Sequence, residues 1–226
     1  MDKETILRTI KEARGVKQRK FKQGIELIIN LKDVDLKKPE YQVNQYLQLP
    51  HGRGKKIKIC IFCGPELSQQ AKANCDKAIL LDEFDRYKKN EVKKIAEQHD
   101  YFIAQATVMT KMASNFGRIL GPRGKMPDPK AGCVVPPNAN LKPLCDKLQT
   151  TVKLKVKNGP QIQCAVGTED MDDDKIAENI LAAYESVVHH LPSEKDNIKN
   201  MSVKLTMGKP ALVQEKQETV VKKKKK

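Results

Sequence analysis

The side chains with the most chemical potential in this 226-residue sequence are six cysteines, four histidines and one dense acidic run. Cys60 and Cys63 form the one close thiol pair, a C-x-x-C spacing that elsewhere holds zinc or cycles as a dithiol. Here it lies in Ile57-Lys58-Ile59-Cys60-Ile61-Phe62-Cys63, which reads as a buried strand. Residues three apart on a strand point to opposite faces, so the two sulfurs cannot easily share a tetrahedral ion. No second CxxC or HxxxH completes a ligand set. Cys75, Cys133, Cys145 and Cys164 read as reduced, packed thiols of a cytosolic protein, and neither metal nor cofactor is expected. Of the histidines, His189-His190 close a helical pattern, where a cation suits the helix C-terminus, and none stands in a hydrolase motif such as G-x-S-x-G. Glu169-Asp170-Met171-Asp172-Asp173-Asp174 is the best argument for a metal-dependent nuclease. It directly precedes a helical pattern, however, where Asp caps free N–H groups, and a two-metal site draws carboxylates from several elements. No catalytic residues and no enzymatic activity are expected.

The most unusual stretch is Gly117–Gly132, GRILGPRGKMPDPKAG, with four Gly, three Pro and four cations. Proline disfavours helix and central strand there. Successive N–H groups of such a turn can form an anion-binding nest, with Arg118, Arg123, Lys125 and Lys130 adding charge as a secondary basic loop. A nucleotide P-loop is excluded: it needs Gly where Ile119 stands and Ser or Thr where Met126 stands.

Charge points the same way. Lys and Arg number 43 against 28 Asp and Glu, a net +15. Residues 215–226 carry six Lys and two Glu, so the remainder is basic without that tail. An excess of this size favours a polyanionic partner, nucleic acid ahead of an anionic membrane surface. No apolar run reaches the length of a membrane-spanning helix, and Met1-Asp2-Lys3-Glu4 does not open a secretory signal, so no membrane association and a cytoplasmic location are expected.

The elements that must position these residues fall into two styles. Residues 5–18 read as an amphipathic helix, 25–31 and 47–49 as strands, and the Gly- and Lys-rich 50–56 as a connector. From Ile57 strands alternate with helices: strand 57–63, helix 66–75, strand 78–81, helix 85–98, strand 101–104, then helical stretches near 107–113 and 141–149. That alternation indicates a parallel sheet with crossover helices. After Gln149 half-exposed strands return at 152–156 and 161–166, joined by the hairpin signal Asn158-Gly159, followed by a helix at 173–190 and a strand at 201–207. The N-terminal strand lacks partners that the C-terminal strands can supply. The expected fold is therefore α/β: a discontinuous α+β sandwich domain, residues 1–54 and 150–214, interrupted by a three-layer α/β Rossmann-like domain at 55–149, with a disordered basic tail at 215–226.

The signature Gly117–Gly124, followed by Met126-Pro127 and Pro129-Lys130-Ala131-Gly132, resembles that of the ribosomal protein L-one family, the large-subunit stalk protein. Lys20-Phe21 before a Glu26-bearing strand, Leu49-Pro50-His51-Gly52 with Gly54-Lys55, and Thr206-Met207-Gly208 resemble further segments of the family, so the likeness spans about residues 20 to 210. The form Gly-Pro-Arg-Gly-Lys-Met-Pro is closer to archaeal than to bacterial members. Departures are Val43-Asn44-Gln45, where the family usually reads Val-Arg-Gly, and Gly24 for a Thr common in bacterial members. Asn200 stands where a Ser is often found.

The resemblance implies an insertion architecture, a place in the large ribosomal subunit, and binding of folded large-subunit ribosomal RNA as a mobile stalk beside the tRNA exit site. It further implies exit-site tRNA as a neighbour, possible repression of the protein's own mRNA, and a monomer within the ribosome. Carried over residue by residue, the RNA-binding positions are Lys20, Phe21, Glu26, Asn200, Thr206, Met207 and Gly208. Their types suit RNA read by shape and 2′-hydroxyls. Thr206 offers a hydroxyl, Gly208 close backbone approach, Phe21 and Met207 apolar surface, and Glu26 an acceptor or a partner that orients a cation. Lys222–Lys226 reads as a nonspecific anchor or a solvated tail. The alternative reading is a non-ribosomal assembly factor on the same scaffold.

Overall fold

The computed structural model describes residues 2–15, 19–35, 38–156 and 159–213. The chain divides into two compact units, Met1–Asn44 with Leu154–Lys226, and Gln45–Lys153. The crossings therefore fall at 44/45 and 153/154 rather than at the expected 54/55 and 149/150. The reason lies in local bonding. Strands β2 (Asn44–Gln48) and β7 (Thr151–Lys155) pair with each other in a separate ribbon, and the Leu49 N–H donates to the Thr150 carbonyl at 2.9 Å. The basic stretch 215–226 lies outside the described residues.

In the first unit, helix α1 (Lys3–Arg14) is followed by strand β1 (Gly24–Leu31). Strand β8 (Gln161–Thr168), helix α6 (Asp173–His190), strand β9 (Ile198–Leu205) and the short β10 (Ala211–Leu212) come from the other end of the chain. The sheet order is β10-β9-β1-β8, antiparallel throughout, so β1 sits between strands that follow it by most of the sequence. The expected hairpin between the strands at 152–156 and 161–166 does not form a ladder. Each takes a different partner, β7 pairing with β2 and β8 with β1, leaving an isolated bridge from Val156 to Ile162; Asn158 lies outside the described residues.

Alternation decides the layers. Ile25, Leu27, Ile29 and Leu31 are buried, as are Met201, Val203 and Leu205 of β9. Both helices contact this sheet and each other, and Ile6, Ile10, Ile176, Ile180, Ala183 and Val187 supply their buried stripes. Gly167 permits the contact of α6 with β8, since a Cβ there would meet Ile176 Cγ1 at 3.1 Å and Met171 Sδ at 3.3 Å. The opposite face of the sheet carries Glu26, Ile28, Asn30, Gln163, Asn200 and Lys204, of which Gln163 is exposed and the others are part-exposed.

The second unit is a three-layer α/β sandwich. Its parallel sheet has the order β4-β3-β5-β6, with β3 Ile59–Cys63, β4 Lys77–Leu80, β5 Tyr101–Gln105 and β6 Val134–Val135. Helices α2 (Ser68–Asn74) and α5 (Leu141–Thr150) cover one face, α3 (Lys89–Gln98) and α4 (Met109–Leu120) the other. Cys63 packs in the first of these cores and Cys60 in the second, on opposite faces of β3. The second core holds four of the chain's five phenylalanines, with the rings of Phe62 and Phe116 4.8 Å apart and Phe84 edge-on to both.

Two helices differ from expectation. The stretch at 85–98 splits into a 3-10 turn (Leu81–Arg86) and α3, because Glu91 Oε2 accepts the Lys88 N–H at 2.9 Å and starts a new helix there. The helical stretch near 107–113 continues to Leu120, through Gly117, because Phe116 and Leu120 are both fully buried. Burying each contributes roughly 1.5–3 kcal/mol, more than the roughly 1 kcal/mol cost of a helical glycine.

Candidate nucleic-acid interface

The N-terminal residues of β1 and the turn that follows β9 meet at one rim of the antiparallel sheet. Their register places Ile25 opposite Leu205 and Glu26 opposite Lys204. Beyond the last rung, the Thr206 N–H donates to the Gly24 carbonyl at 3.0 Å, and the Thr206 hydroxyl donates to the same oxygen at 3.2 Å. The hydroxyl's proton is thus committed, which leaves its lone pairs to accept from outside. The Met207 N–H donates to Gln23 Oε1 at 3.2 Å, and Gly208 closes the turn onto the Leu205 carbonyl at 2.8 Å. Alternation predicts a strand through Met207; the strand ends at Leu205, and Thr206 and Met207 both lie in this turn. Gly208 has an internal reason to be glycine, since a Cβ would approach Leu205 Cβ to 3.1 Å.

Gln23 is the hidden support of this rim. It is 2% exposed, its side chain holds Met207, and its backbone is clamped between Glu169 Oε2 (3.2 Å to Gln23 N) and Glu169 N (2.9 Å to Gln23 O). Phe21, two residues earlier, is 55% exposed and Met207 is 60% exposed. Four phenylalanines of this chain share a core, whereas the fifth, Phe21, is left in water two residues before Gln23, whose side chain holds the exposed Met207. Lys20 is exposed in the same loop. Glu26 does not stand alone: Lys204 Nζ lies 3.9 Å from its carboxylate and donates to the Thr206 carbonyl at 3.0 Å, so Glu26 orients a cation at the rim. Asn200 sits farther along β9, where Asn30 Nδ2 donates to its Oδ1 at 2.6 Å. The sheet thus groups Glu26, Thr206, Met207 and Gly208 at one rim, with Lys20 and Phe21 in the loop leading to it and Asn200 along the open face. Sequence reasoning does not reach Lys204 or Gln23. Alternation through Met201–Leu205 was the available signal for Lys204; Gln23, whose role depends on pairing across the chain, offered none.

The acidic run is consumed by the scaffold. Asp173 pairs with Arg14 Nε at 2.9 Å, and the Arg14 guanidinium also donates to the carbonyls of Glu169 and Met171, each at 2.7 Å. Asp170 pairs with Lys22 at 2.6 Å, a hydrogen bond that raises the lysine's pKa; Asp172 pairs with Lys175 and Asp174 with Lys3. Asp172 is the N-cap of α6 by position, yet its side chain bonds no backbone N–H, so the expected capping is replaced by ion pairs. Among the described residues no group of three or more His, Cys, Asp or Glu is arranged to hold a metal ion, and no helix is long and apolar enough to cross a membrane.

The Gly- and Pro-rich loop of the second unit is bonded inward. The N–H groups of Gly124, Lys125, Ala131, Gly132 and Cys133 all donate to carbonyls within the segment 120–129, so these five are committed inside the loop. Lys125 Nζ reaches the C-terminal carbonyls of α3, Ala96 O at 2.8 Å and His99 O at 2.7 Å, and Arg123 pairs with Glu97 at 2.9 Å. Arg118 and Lys130 remain on the surface. Asp128 ties the loop to the strands: it accepts from the Lys130 N–H at 3.0 Å and from Tyr46 Oη at 3.0 Å, with Lys153 Nζ 3.6 Å away. Partial burial pushes its pKa up, but these partners outweigh that and hold it below the ordinary value.

A discontinuous antiparallel sheet whose rim is built from both ends of the sequence, joined to a three-layer α/β unit, is the architecture of this chain. The chain matches the Ribosomal protein L1p/L10e family over residues 10–209 and belongs to that family. It is 42% identical to the large ribosomal subunit protein uL1 of Methanothermococcus thermolithotrophicus, over 95% of this chain and 100% of the relative. The identity to the uL1 of Methanocaldococcus jannaschii is also 42%, over 92% and 94% of the two chains, and to that of Thermococcus kodakarensis 39%, over 92% and 95%.

Proposed function

We propose that this chain is a structural constituent of the large ribosomal subunit, without enzymatic activity, and that it grips folded large-subunit ribosomal RNA with the rim formed by Phe21, Glu26, Lys204 and Thr206–Gly208. The observation that carries the reading is the exposure of Met207 in a turn fixed by Gln23 and of Phe21 in the loop leading to Gln23, on a protein with net charge +15. Folded RNA presents 2′-hydroxyls and sugar faces in a shallow groove. Thr206 Oγ1 accepts from a 2′-hydroxyl, Phe21 and Met207 cover a sugar or base face, and Lys204 meets a phosphate, while Glu26 fixes the lysine's direction. Asn200 and Lys20 extend the contact along the open face and the loop. The discontinuous unit of residues 1–44 and 154–213 is the RNA-binding part, and of the secondary basic loop Arg118 and Lys130 are the cations left to add charge. The working location is the ribosome of the cytoplasm, with exit-site tRNA as a neighbour and the protein's own mRNA as a second ligand carrying a similar RNA fold.

Crosslinking in cells followed by sequencing of the bound RNA tests this reading, combined with sedimentation. Large-subunit ribosomal RNA and co-migration with mature large subunits are expected. Recovery with precursor particles alone would make the chain an assembly factor, and recovery of unrelated RNA would overturn the assignment.

A further inference from the structure

Cys75, at the C-terminal end of α2, and Cys145, in the middle of α5, lie with their sulfurs 3.6 Å apart, and both are free thiols. The pair bridges the two helices that cover one face of the parallel sheet. Cys60 and Cys63, though only three residues apart in sequence, point into different cores. Cys145 lines a cleft of about 530 Å³ whose other walls include Arg53, Lys55, Lys56 and Lys142, with Asp146 as the acidic member, and Cys75 is only half-buried. A small polar oxidant therefore has a path to the sulfurs, although the charges that act on them, Asp76 and Asp146, oppose a thiolate. Either sulfur can donate in this contact, so geometry sets the roles: Cys145 lines the cleft and is the sulfur an oxidant meets there.

We propose that Cys75 and Cys145 are a reversible oxidation site that hydroperoxides convert to an intramolecular disulfide. The Cys145 thiolate attacks one peroxide oxygen; the S–O bond forms, the O–O bond breaks, and the departing hydroxide leaves as water after taking a proton. The Cys75 sulfur then attacks the Cys145 sulfur. The S–S bond forms, the S–O bond breaks, and a second water carries off the Cys75 proton. Two thiols lose two electrons in all, and one hydrogen peroxide becomes two waters. Closing the gap from 3.6 Å to bonding distance needs a shift of about 1.5 Å, which the C-terminal end of a seven-residue helix can supply. Such a bond in a reducing compartment is transient, which suits a sensor rather than a staple.

The test treats the full chain with hydrogen peroxide and reads intact mass, cysteine-linked peptides and thermal melting. The expected result is loss of two hydrogen masses, a dominant Cys75–Cys145 peptide, a raised Tm, and restoration of mass and Tm by dithiothreitol. Cys75→Ser and Cys145→Ser are each expected to abolish the link, and Cys75→Ser to leave a trappable sulfenic acid on Cys145. Cys164→Ser, a change in the other unit, is expected to oxidise like the parent. Crosslinks dominated by other cysteine pairs or by intermolecular dimers, or sulfinic acid accumulating without a Cys75–Cys145 link, would each overturn the proposal.

Discussion

The Met207 side chain isolates the apolar part of the proposed RNA contact, because it is 60% exposed and folding has little to lose from its removal. Full burial of a methionine contributes roughly 1.5–3 kcal/mol, so covering the fraction now in water is worth about 1–2 kcal/mol. Met207→Ala should therefore raise Kd by about 5- to 30-fold at constant salt, since about 1.4 kcal/mol corresponds to tenfold. Met207→Leu, which keeps volume and apolarity, should stay close to the parent. Met207→Asp adds a carboxylate facing phosphates and should cost about a hundredfold or more. Fluorescence anisotropy with purified large-subunit ribosomal RNA measures the affinity, with small-subunit RNA as competitor. Stability from a far-UV melt run alongside should move by less than about 0.5 kcal/mol for Met207→Ala. The salt slope should be the same for parent and Met207→Ala, because no phosphate contact is lost. Unchanged affinity in Met207→Ala and Met207→Asp, with an intact melt, would show that the rim after β9 does not meet RNA.

Lys204→Ala should reduce the slope of log Kd against log salt by about one unit and weaken binding to all RNAs alike; an unchanged slope would place Lys204 off the phosphates. Gln23→Leu removes the acceptor of the Met207 N–H, and should lower stability by about 1–3 kcal/mol in chemical denaturation together with RNA affinity. Lys125→Met deprives the α3 carbonyls of their donor, so it should destabilise the chain by about 1–2 kcal/mol while leaving RNA affinity intact; a loss of affinity instead would make the loop a direct contact. Asp128 has a depressed pKa in the folded chain, so its contribution is complete above the unfolded value and disappears as pH falls through the folded one. Asp128→Asn should lower stability at neutral pH and flatten the acid limb of an unfolding profile below about pH 4, and an unaltered limb would assign that limb to other carboxylates.

Much of the fold is legible in the sequence, for reasons visible in particular elements. The pattern predicts a helix over 173–190 and α6 spans those residues, because its apolar stripe is long and Asp173-Asp174 and His189-His190 mark its ends. The alternation of β1 is equally plain, and so is the switch of style at Ile57. Partner choice is not legible. Asn158-Gly159 is a strong local turn signal, but the strands on either side gain more by pairing with β2 and β1 than with each other. At the site, residue types point to Phe21 and Met207, yet only the paired backbone shows that the Thr206 proton is already committed, that Glu26 works through Lys204, and that Lys125 faces α3 rather than an anion. The Cys75–Cys145 contact joins residues far apart in sequence, which no spacing rule could have matched.

Translation emits β1 early, but both strands that flank it leave the ribosome late: Gly24 aligns with Thr168 and Ile25 with Leu205. The parallel unit between them consists of nearer pairings and can collapse while the polypeptide is still tethered, whereas the antiparallel sheet must wait for its last strands and meet a high contact-order penalty. A nascent polypeptide truncated before β9 therefore lacks the Thr206–Gly208 turn altogether, and the proposed rim exists only once β9 has been made.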